Sequence, residues 1–294
     1  MIWSIGEILA DIVVDDGECR VNAGGAPFNA AVAACDAGAE VLFVGRVGCD
    51  LLGDGLVSVS ERYLPDSTLI QRDESRATTV AIVSLLNGER SFAFCRKDTA
   101  DYHIDVDEIP FDRLTKGDIV NIGTLALAEK EGAEYIGRIC DIVAERDAVT
   151  AVDVNFRESL FVAKDRMVAA FCPLVDVSDI VKFSDDELKC YVSESDINAA
   201  IEAISERYPH KLIVVTEGDK GSRCIYEGKT YNVGAEKVKA IDTTGAGDAF
   251  WGTFLANILS KEWSDEVLRE ALRLANIAGG EAVKHFGALK PIKP

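Results

Sequence analysis

Short apolar runs alternate with longer amphipathic stretches along this chain. Ile2–Leu9 reads as a strand. Ala26–Ala37, which follows Gly24-Gly25 and stops at Gly38, reads as a helix. Val41–Val44 is a short buried strand, Asp118–Ile122 another, and a helix follows over roughly 129–146. Val149–Val154, Ile180–Phe183 and Leu212–Thr216 read as further strands, and helices over roughly 247–259 and 265–285 close the chain. Continuous apolar strands separated by amphipathic helices predict an α/β fold, a mostly parallel sheet with helices on both faces.

Two stretches break the rhythm. Ile12–Val21 is short, β-branched and turns at Asp15-Asp16-Gly17. Thr78–Lys97 holds two β-rich runs on either side of Asn87-Gly88. That dipeptide is a strong hairpin signal, because both turn positions need positive φ. Strands over about 12–22 and 78–99 are therefore expected to form a small second sheet, placed as a lid on a single domain spanning 1–294.

Composition narrows the class. The 294 residues are 48% hydrophobic and 28% charged, enough for a substantial core. A formal net charge of -19 argues against a nucleic-acid surface. No stretch of roughly 18 uncharged apolar residues occurs, so no membrane span is expected. The opening segment has no basic region ahead of its apolar residues, unlike a signal peptide. Eight scattered cysteines without a C-x-x-C pair read as small buried hydrophobes in a reducing cytoplasm.

In a parallel sheet, ligands gather beyond the carboxyl ends of the strands. Polar and glycine-rich clusters follow several strand ends here: Gly6-Glu7 to Asp11, Gly123-Thr124, Asp153–Arg157, Thr216–Gly218 and Asp242–Asp248. In the last, Gly245 and Gly247 leave the N–H groups of a helix start bare, which suits a phosphate. Asp248 beside them has two readings. It is a helix-start acid that complements the dipole, or a base that takes a proton from a hydroxyl attacking a phosphoryl group. Spacing alone leaves both open. The chain has neither a P-loop nor a G-x-G-x-x-G at its first helix, which disfavours a nicotinamide oxidoreductase.

"DTTGAGDAF" at Asp242–Phe250 resembles the signature of the ribokinase (PfkB-type) carbohydrate kinase family. "GGAPFNAAVAA" at Gly24–Ala34 resembles its N-terminal sugar-binding motif, and "VGRVGCDLLGDGL" at Val44–Leu56 the segment that follows. "KFSDDE" at Lys182–Glu187, "VTEGDKGS" at Val215–Ser222 and "LANIAGGEAVKHFGA" at Leu274–Ala288 are similar to its later segments, in the same order.

The resemblance implies a three-layer α/β/α core and transfer of the ATP γ-phosphate to a sugar hydroxyl. It implies Asp248 as catalytic base and Gly245, Ala246 and Gly247 as the anion hole. Asp11, Gly24, Gly25, Asn29, Arg96, Thr124, Asn155 and Arg157 would hold the sugar. Ser184, Thr216, Gly218, Gly221 and Asn276 would line the ATP site, although Ser184 and Asn276 are also residue types that cap helices or bond to nearby backbone. Glu187 would organise Mg2+ through water, or it is an ordinary first-turn acid. A monovalent cation, K+, would lie at Asp242, Thr244, Ala282, His285 and Gly287.

Gly24–Pro27 and the Gly88–Asp101 pattern resemble fructokinases, so phosphorylation of fructose to fructose 6-phosphate is the first expectation. A kinase for 2-keto-3-deoxygluconate, another ketose or a nucleoside is the alternative within the family. A non-catalytic sugar- or nucleotide-binding regulator is the alternative outside it. Arg96 is expected to reach from the lid to the sugar. Phe92 and Phe94 are expected in the lid core or a contact between two copies, and a homodimer through the lid follows from the resemblance.

Overall fold

The computed structural model describes residues 1–15, 18–86 and 89–290, with the side chains at 15, 18, 83–86 and 89–92 left aside. The turns expected at Asp16-Gly17 and Asn87-Gly88, and the side chain of Phe92, lie outside the described residues.

The elements run β1 (Ile2–Ile5), β2 (Leu9–Asp15), β3 (Glu18–Gly24), α1 (Ala26–Asp36), β4 (Val41–Gly48), α2 (Leu51–Tyr63) and β5 (Thr68–Asp73). Next come β6 (Val80–Leu86), β7 (Glu89–Cys95), β8 (Ile119–Ile122), α3 (Lys130–Glu145), β9 (Val149–Asp153), α4 (Lys164–Val177) and β10 (Ile180–Ser184). The chain ends through α5 (Asp185–Val192), α6 (Ile197–Arg207), β11 (Leu212–Thr216), β12 (Ser222–Tyr226), β13 (Lys229–Val233), α7 (Ala246–Ile258) and α8 (Asp265–Ala282).

The large sheet has the order β13-β12-β11-β10-β9-β8-β1-β4-β5 and is parallel from β11 to β5. Alternate strand residues feed two cores. Along β11, Ile213 and Val215 join a core built with α3, α4, α5 and α6, while Leu212 and Val214 join one built with α1, α2, α7 and α8. Strand order reverses at β1, whose neighbours are β4 and β8, so the crevice for a ligand opens beyond its carboxyl end.

The expected strand Ile2–Leu9 is broken. Gly6, with φ of +155°, turns the chain after Ile5, and a Cβ there would stand 2.9 Å from the Cα of Gly123. Leu9 then begins β2 in the second sheet, β3-β2-β6-β7. An apolar run carries no record of a change of sheet. Elements without a clear period, such as glycine-containing α2, are also absent from the sequence reading.

Helices α1 and α7 pack with almost no space between their backbones. A Cβ on Gly252 would run into the carbonyl oxygen of Ala30. A buried polar chain ties both helices to the sheet: Trp251 Nε1 donates to Asn121 Oδ1 (2.7 Å), Asn121 Nδ2 to Ser4 Oγ (2.9 Å), and Ser4 Oγ to the carbonyl of Pro27 (2.7 Å). Gly252→Ala is expected to force the helices apart and cost ~1–3 kcal/mol, read as a lower denaturant midpoint at unchanged slope.

Candidate active site

Asp248 stands in the first turn of α7, behind Gly245, which caps the helix at φ of +77°. Gly245 has a second constraint, since a Cβ on it would lie 2.6 Å from Ala288. The close approach of α1 and α7 brings Asn29 Nδ2 to Asp248 Oδ2 at 2.8 Å. Burial pushes the Asp248 pKa up, while the Asn29 hydrogen bond and the charges of Arg157 and Lys182 pull it down. The net shift is upward, towards the range useful to a general base.

A cleft of about 410 Å³ opens above this helix start. It is lined by Asp11, Gly25, Asn29, Thr124, Asn155 and Arg157, by Ser184, Glu187 and Thr216, and by Gly245, Gly247 and Asp248. Gly24 lies just behind, packed so closely on the Asp11 carboxyl that a Cβ would collide with it. Burial raises Asp11 to about 6, against the pull of Arg157. Asn155 has φ of +45°, a left-handed conformation that asparagine tolerates. The Thr124 hydroxyl donates to the carbonyl of Val154 (3.1 Å).

Arg96 is not on this lining. Its guanidinium donates to Asp101 from Nε (2.9 Å) and Nη2 (2.8 Å), deep in the protein and stacked on Tyr102. The expected reach from the lid to the sugar is corrected to a buried ion pair at the foot of hairpin β6–β7. Phe94 instead turns towards the cleft and packs with Leu9, Ala81 and Leu125. Leu9 and Ala81 belong to the small sheet, so this packing is the lid core that was expected for Phe94, on the face that meets the cleft.

On the other side, Ser184 and Glu187 form a reciprocal capping box on α5. Glu187 Oε2 accepts from the Ser184 N–H (2.7 Å) and Oε1 from the Phe156 N–H (2.9 Å), which anchors the loop carrying Asn155 and Arg157. The first-turn role is thus real, and the carboxyl still faces the cleft. Gly218, Gly221 and Asn276 do not line it. Gly221 adopts φ of +105° against the Val233 carbonyl, and Asn276 Nδ2 donates to that same carbonyl (3.1 Å).

Asp242 Oδ1 accepts from the Thr244 N–H (2.8 Å) and Oδ2 from the Gly287 N–H (3.0 Å). With the Ile241 N–H on the Val283 carbonyl (2.7 Å), these bonds bring the loop before α7 against Ala282, His285 and Gly287. Among the described residues no three acidic, histidine or cysteine side chains group as direct metal ligands.

The cleft sets a buried carboxyl beside the glycine-flanked start of α7, with polar side chains to either side. The pfkB family carbohydrate kinase model matches residues 2–294. The chain belongs to the pfkB family of carbohydrate kinases. It is 32% identical to a probable fructokinase-3 of Arabidopsis thaliana, over 98% of this chain and 87% of that protein. A double mutant of the Vibrio cholerae O395 fructokinase, in a fructose-, ADP- and potassium-bound form, superposes with a TM-score of 0.89 at 29% identity. It covers 98% of this chain and 93% of that one. The ATP-bound fructokinase of Xylella fastidiosa gives 0.84 at 27%, covering 98% and 93%.

Sequence reading of this pfkB chain placed Asp153 in a strand-end cluster and Lys182 in a family motif but gave neither a role. Both are buried and line the cleft, and the Lys182 ammonium donates to both Asp153 oxygens at 2.8 Å. It also stands 3.6 Å from where a Gly247 side chain would begin, a fixed cation beside the helix start. Burial acts to lower its pKa, and the Asp153, Glu187 and Asp248 carboxylates outweigh that, holding the ammonium charged. A usable signal existed: a lysine inside the apolar strand IVKFS is rarely buried without a partner.

Burial also raises Glu7 from 4.5 to about 7. A carboxyl raised on folding stabilises most below its unfolded value, and that contribution is lost as pH rises through its folded value. The lowered carboxyls of Asp50, Asp73 and Asp118 act only in the acid range, and His103, pushed down by burial, acts below about pH 6.5. From pH 6.5 to 8 the ligand-free protein is therefore expected to lose about 1 kcal/mol through Glu7, with Asp11, Asp153 and Asp248, also raised by burial, acting in the same direction, read as a fall of a few degrees in thermal midpoint that Glu7→Gln reduces.

Proposed function

We propose that this chain is an ATP-dependent fructokinase, transferring the γ-phosphate of ATP to the primary hydroxyl that becomes the 6-phosphate of fructose. The observation that carries the chemistry is the Asn29–Asp248 hydrogen bond at the bare start of α7. The choice of fructose rests on the fructokinases to which the chain is similar over nearly its whole length.

In this reading Asp11, Gly24, Gly25, Asn29, Asn155 and Arg157 hold the sugar, with Thr124 shaping the wall. Asp248 takes the proton of the attacking hydroxyl. That oxygen forms a bond to the γ-phosphorus as the bond to the β–γ bridging oxygen breaks, and ADP leaves with the electron pair. The N–H groups of Gly245, Ala246 and Gly247, with the α7 dipole and Lys182, stabilise the charge on the transferred group. Ser184, Thr216, Gly218, Gly221 and Asn276 serve the nucleotide side.

Five carboxyls, Glu7, Asp11, Asp153, Glu187 and Asp248, line the cleft with one lysine and one arginine, and the last three stand on the α7 and α5 side, which suits a divalent cation arriving with the nucleotide. Side chains that do not group as direct ligands fit Mg2+, which keeps waters and phosphate oxygens around it. Glu187 would hold it through water, and the ion would neutralise β- and γ-phosphate charge. The tied loops at Asp242, Thr244, Ala282, His285 and Gly287 suit K+ held by backbone oxygens. Sheet β3-β2-β6-β7 would act as lid of a single kinase domain, and exposed Val21 on β3 suits a homodimer formed through it. Of the eight free cysteines Cys224 is buried, while Cys19, Cys35, Cys49 and Cys95 are exposed, so the expectation of small buried hydrophobes is corrected; free exposed thiols suit a reducing, cytoplasmic setting.

Asp248→Asn is expected to lower kcat by about 10²–10⁴-fold with the sugar KM within a few-fold of wild type. Near-normal turnover would leave Asp248 as a helix-start acid. ADP release on fructose, 2-keto-3-deoxygluconate, ribose, tagatose, glucose and nucleosides decides the acceptor. Fructose is expected to give the highest kcat/KM, and a clear preference for another acceptor would replace it while keeping the kinase.

A further inference from the structure

Glu7 sits where strand order reverses, beyond the carboxyl end of β1, and it is 5% exposed. Gly25 and Gly123 leave it just enough space. A Cβ on Gly25 would strike the Glu7 carbonyl oxygen, and one on Gly123 would stand 2.7 Å from Glu7 Oε2. Glu7 Oε1 accepts from the N–H of Ala26, in the first turn of α1 (3.2 Å). Oε2 has no hydrogen-bond partner among the described residues, although it is buried. A buried carboxyl oxygen without a partner is costly unless it has a task.

The surroundings indicate the task. Asp101 holds both feet of hairpin β6–β7: Thr79 donates to it just before β6, and Arg96 just after β7. Arg96 Nη1 and the Tyr135 hydroxyl on α3 are, like Glu7 Oε2, buried and without a hydrogen-bond partner among the described residues. Arg96 Nη1 has the Glu129 carboxylate at 3.6 Å. The groups that act electrostatically on Glu7 are Asp101 and Arg96 from the hairpin foot and Arg157 from the loop after β9, and Tyr135 in turn feels Glu7, Asp101 and Arg96. Glu7 thus lies between the start of α1, with Gly25 and Asn29, and the anchor of the hairpin that carries Phe94 to the cleft.

We propose that Glu7 is a positioning residue of the sugar site, its carboxylate joining the first turn of α1 to the Arg96–Asp101 pair and so setting Gly25 and Asn29 against the hairpin across the cleft. The ionised form does this, because it attracts both Arg96 and the positive end of α1. The inference rests on the sugar-kinase reading above. That reading stands or falls on turnover by the wild type, whereas this one is read from the ratio of variant to wild type on the sugar turned over.

Glu7→Gln keeps the shape and the acceptor for Ala26 while removing the charge. At pH 8 the variant is expected to raise the sugar KM roughly tenfold, the scale of one charge-assisted contact, with the ATP KM within twofold. The wild-type sugar KM should rise as pH falls from 8 to 6, because Glu7 takes up its proton near 7, and the variant should lose most of that slope. A purely structural role would lower the thermal midpoint and leave these constants alone. A variant sugar KM within twofold of wild type at pH 8, an equal rise in both KM values, or a wild-type sugar KM flat between pH 6 and 8 would each overturn the proposal. The last needs no variant to fold.

Discussion

The contact on which the site depends is the backbone approach of α1 to α7. Gly252 lets the Ala30 carbonyl come close, and that distance places the Asn29 amide on the Asp248 carboxyl. Both helices are tied to the sheet by the buried chain from Trp251 through Asn121 and Ser4 to Pro27. The motif around Asn29 and the motif around Asp248 are thereby made parts of one rigid element pair. Close-packed interiors respond sharply to the addition of one methyl group, so this spacing is well determined.

Charge is arranged around that pair in layers. Asp248 and Asp11 are raised by burial, and the Lys182 ammonium is held charged between carboxylates. A chain of net charge -19 thus keeps fixed cations on the cleft lining. Lys182 and Arg157 are local exceptions to the global field, and steering by the whole surface is a separate matter from binding inside the cleft.

Much of the molecule was legible in the chain. The parallel strands and the helices over α1, α3, α7 and α8 follow from apolar runs and amphipathic periods, and their observed ends differ by a few residues. The residues at Gly24–Asn29 and Gly245–Asp248 were legible through the resemblance of their motifs to those of the family, because spacing alone left Asp248 as either a helix-start acid or a base. The pairing of Lys182 with Asp153 was not, because Lys182 looks like an ordinary polar interruption until the strands β9 and β10 pair and set the two side by side.

The sequence by itself determined the class of fold, the family and the local chemistry of each motif, because those depend on residue type and on neighbours a few positions away. Tertiary structure decided which groups meet. It put Arg96 on Asp101 rather than in the cleft, turned Phe94 inward, broke the first apolar run at Gly6, and brought Asn29 to Asp248 across 219 positions of chain. Periodicity records which face of an element is apolar. It does not record which element that face meets, and the reactivity of a buried acid is set by that neighbour.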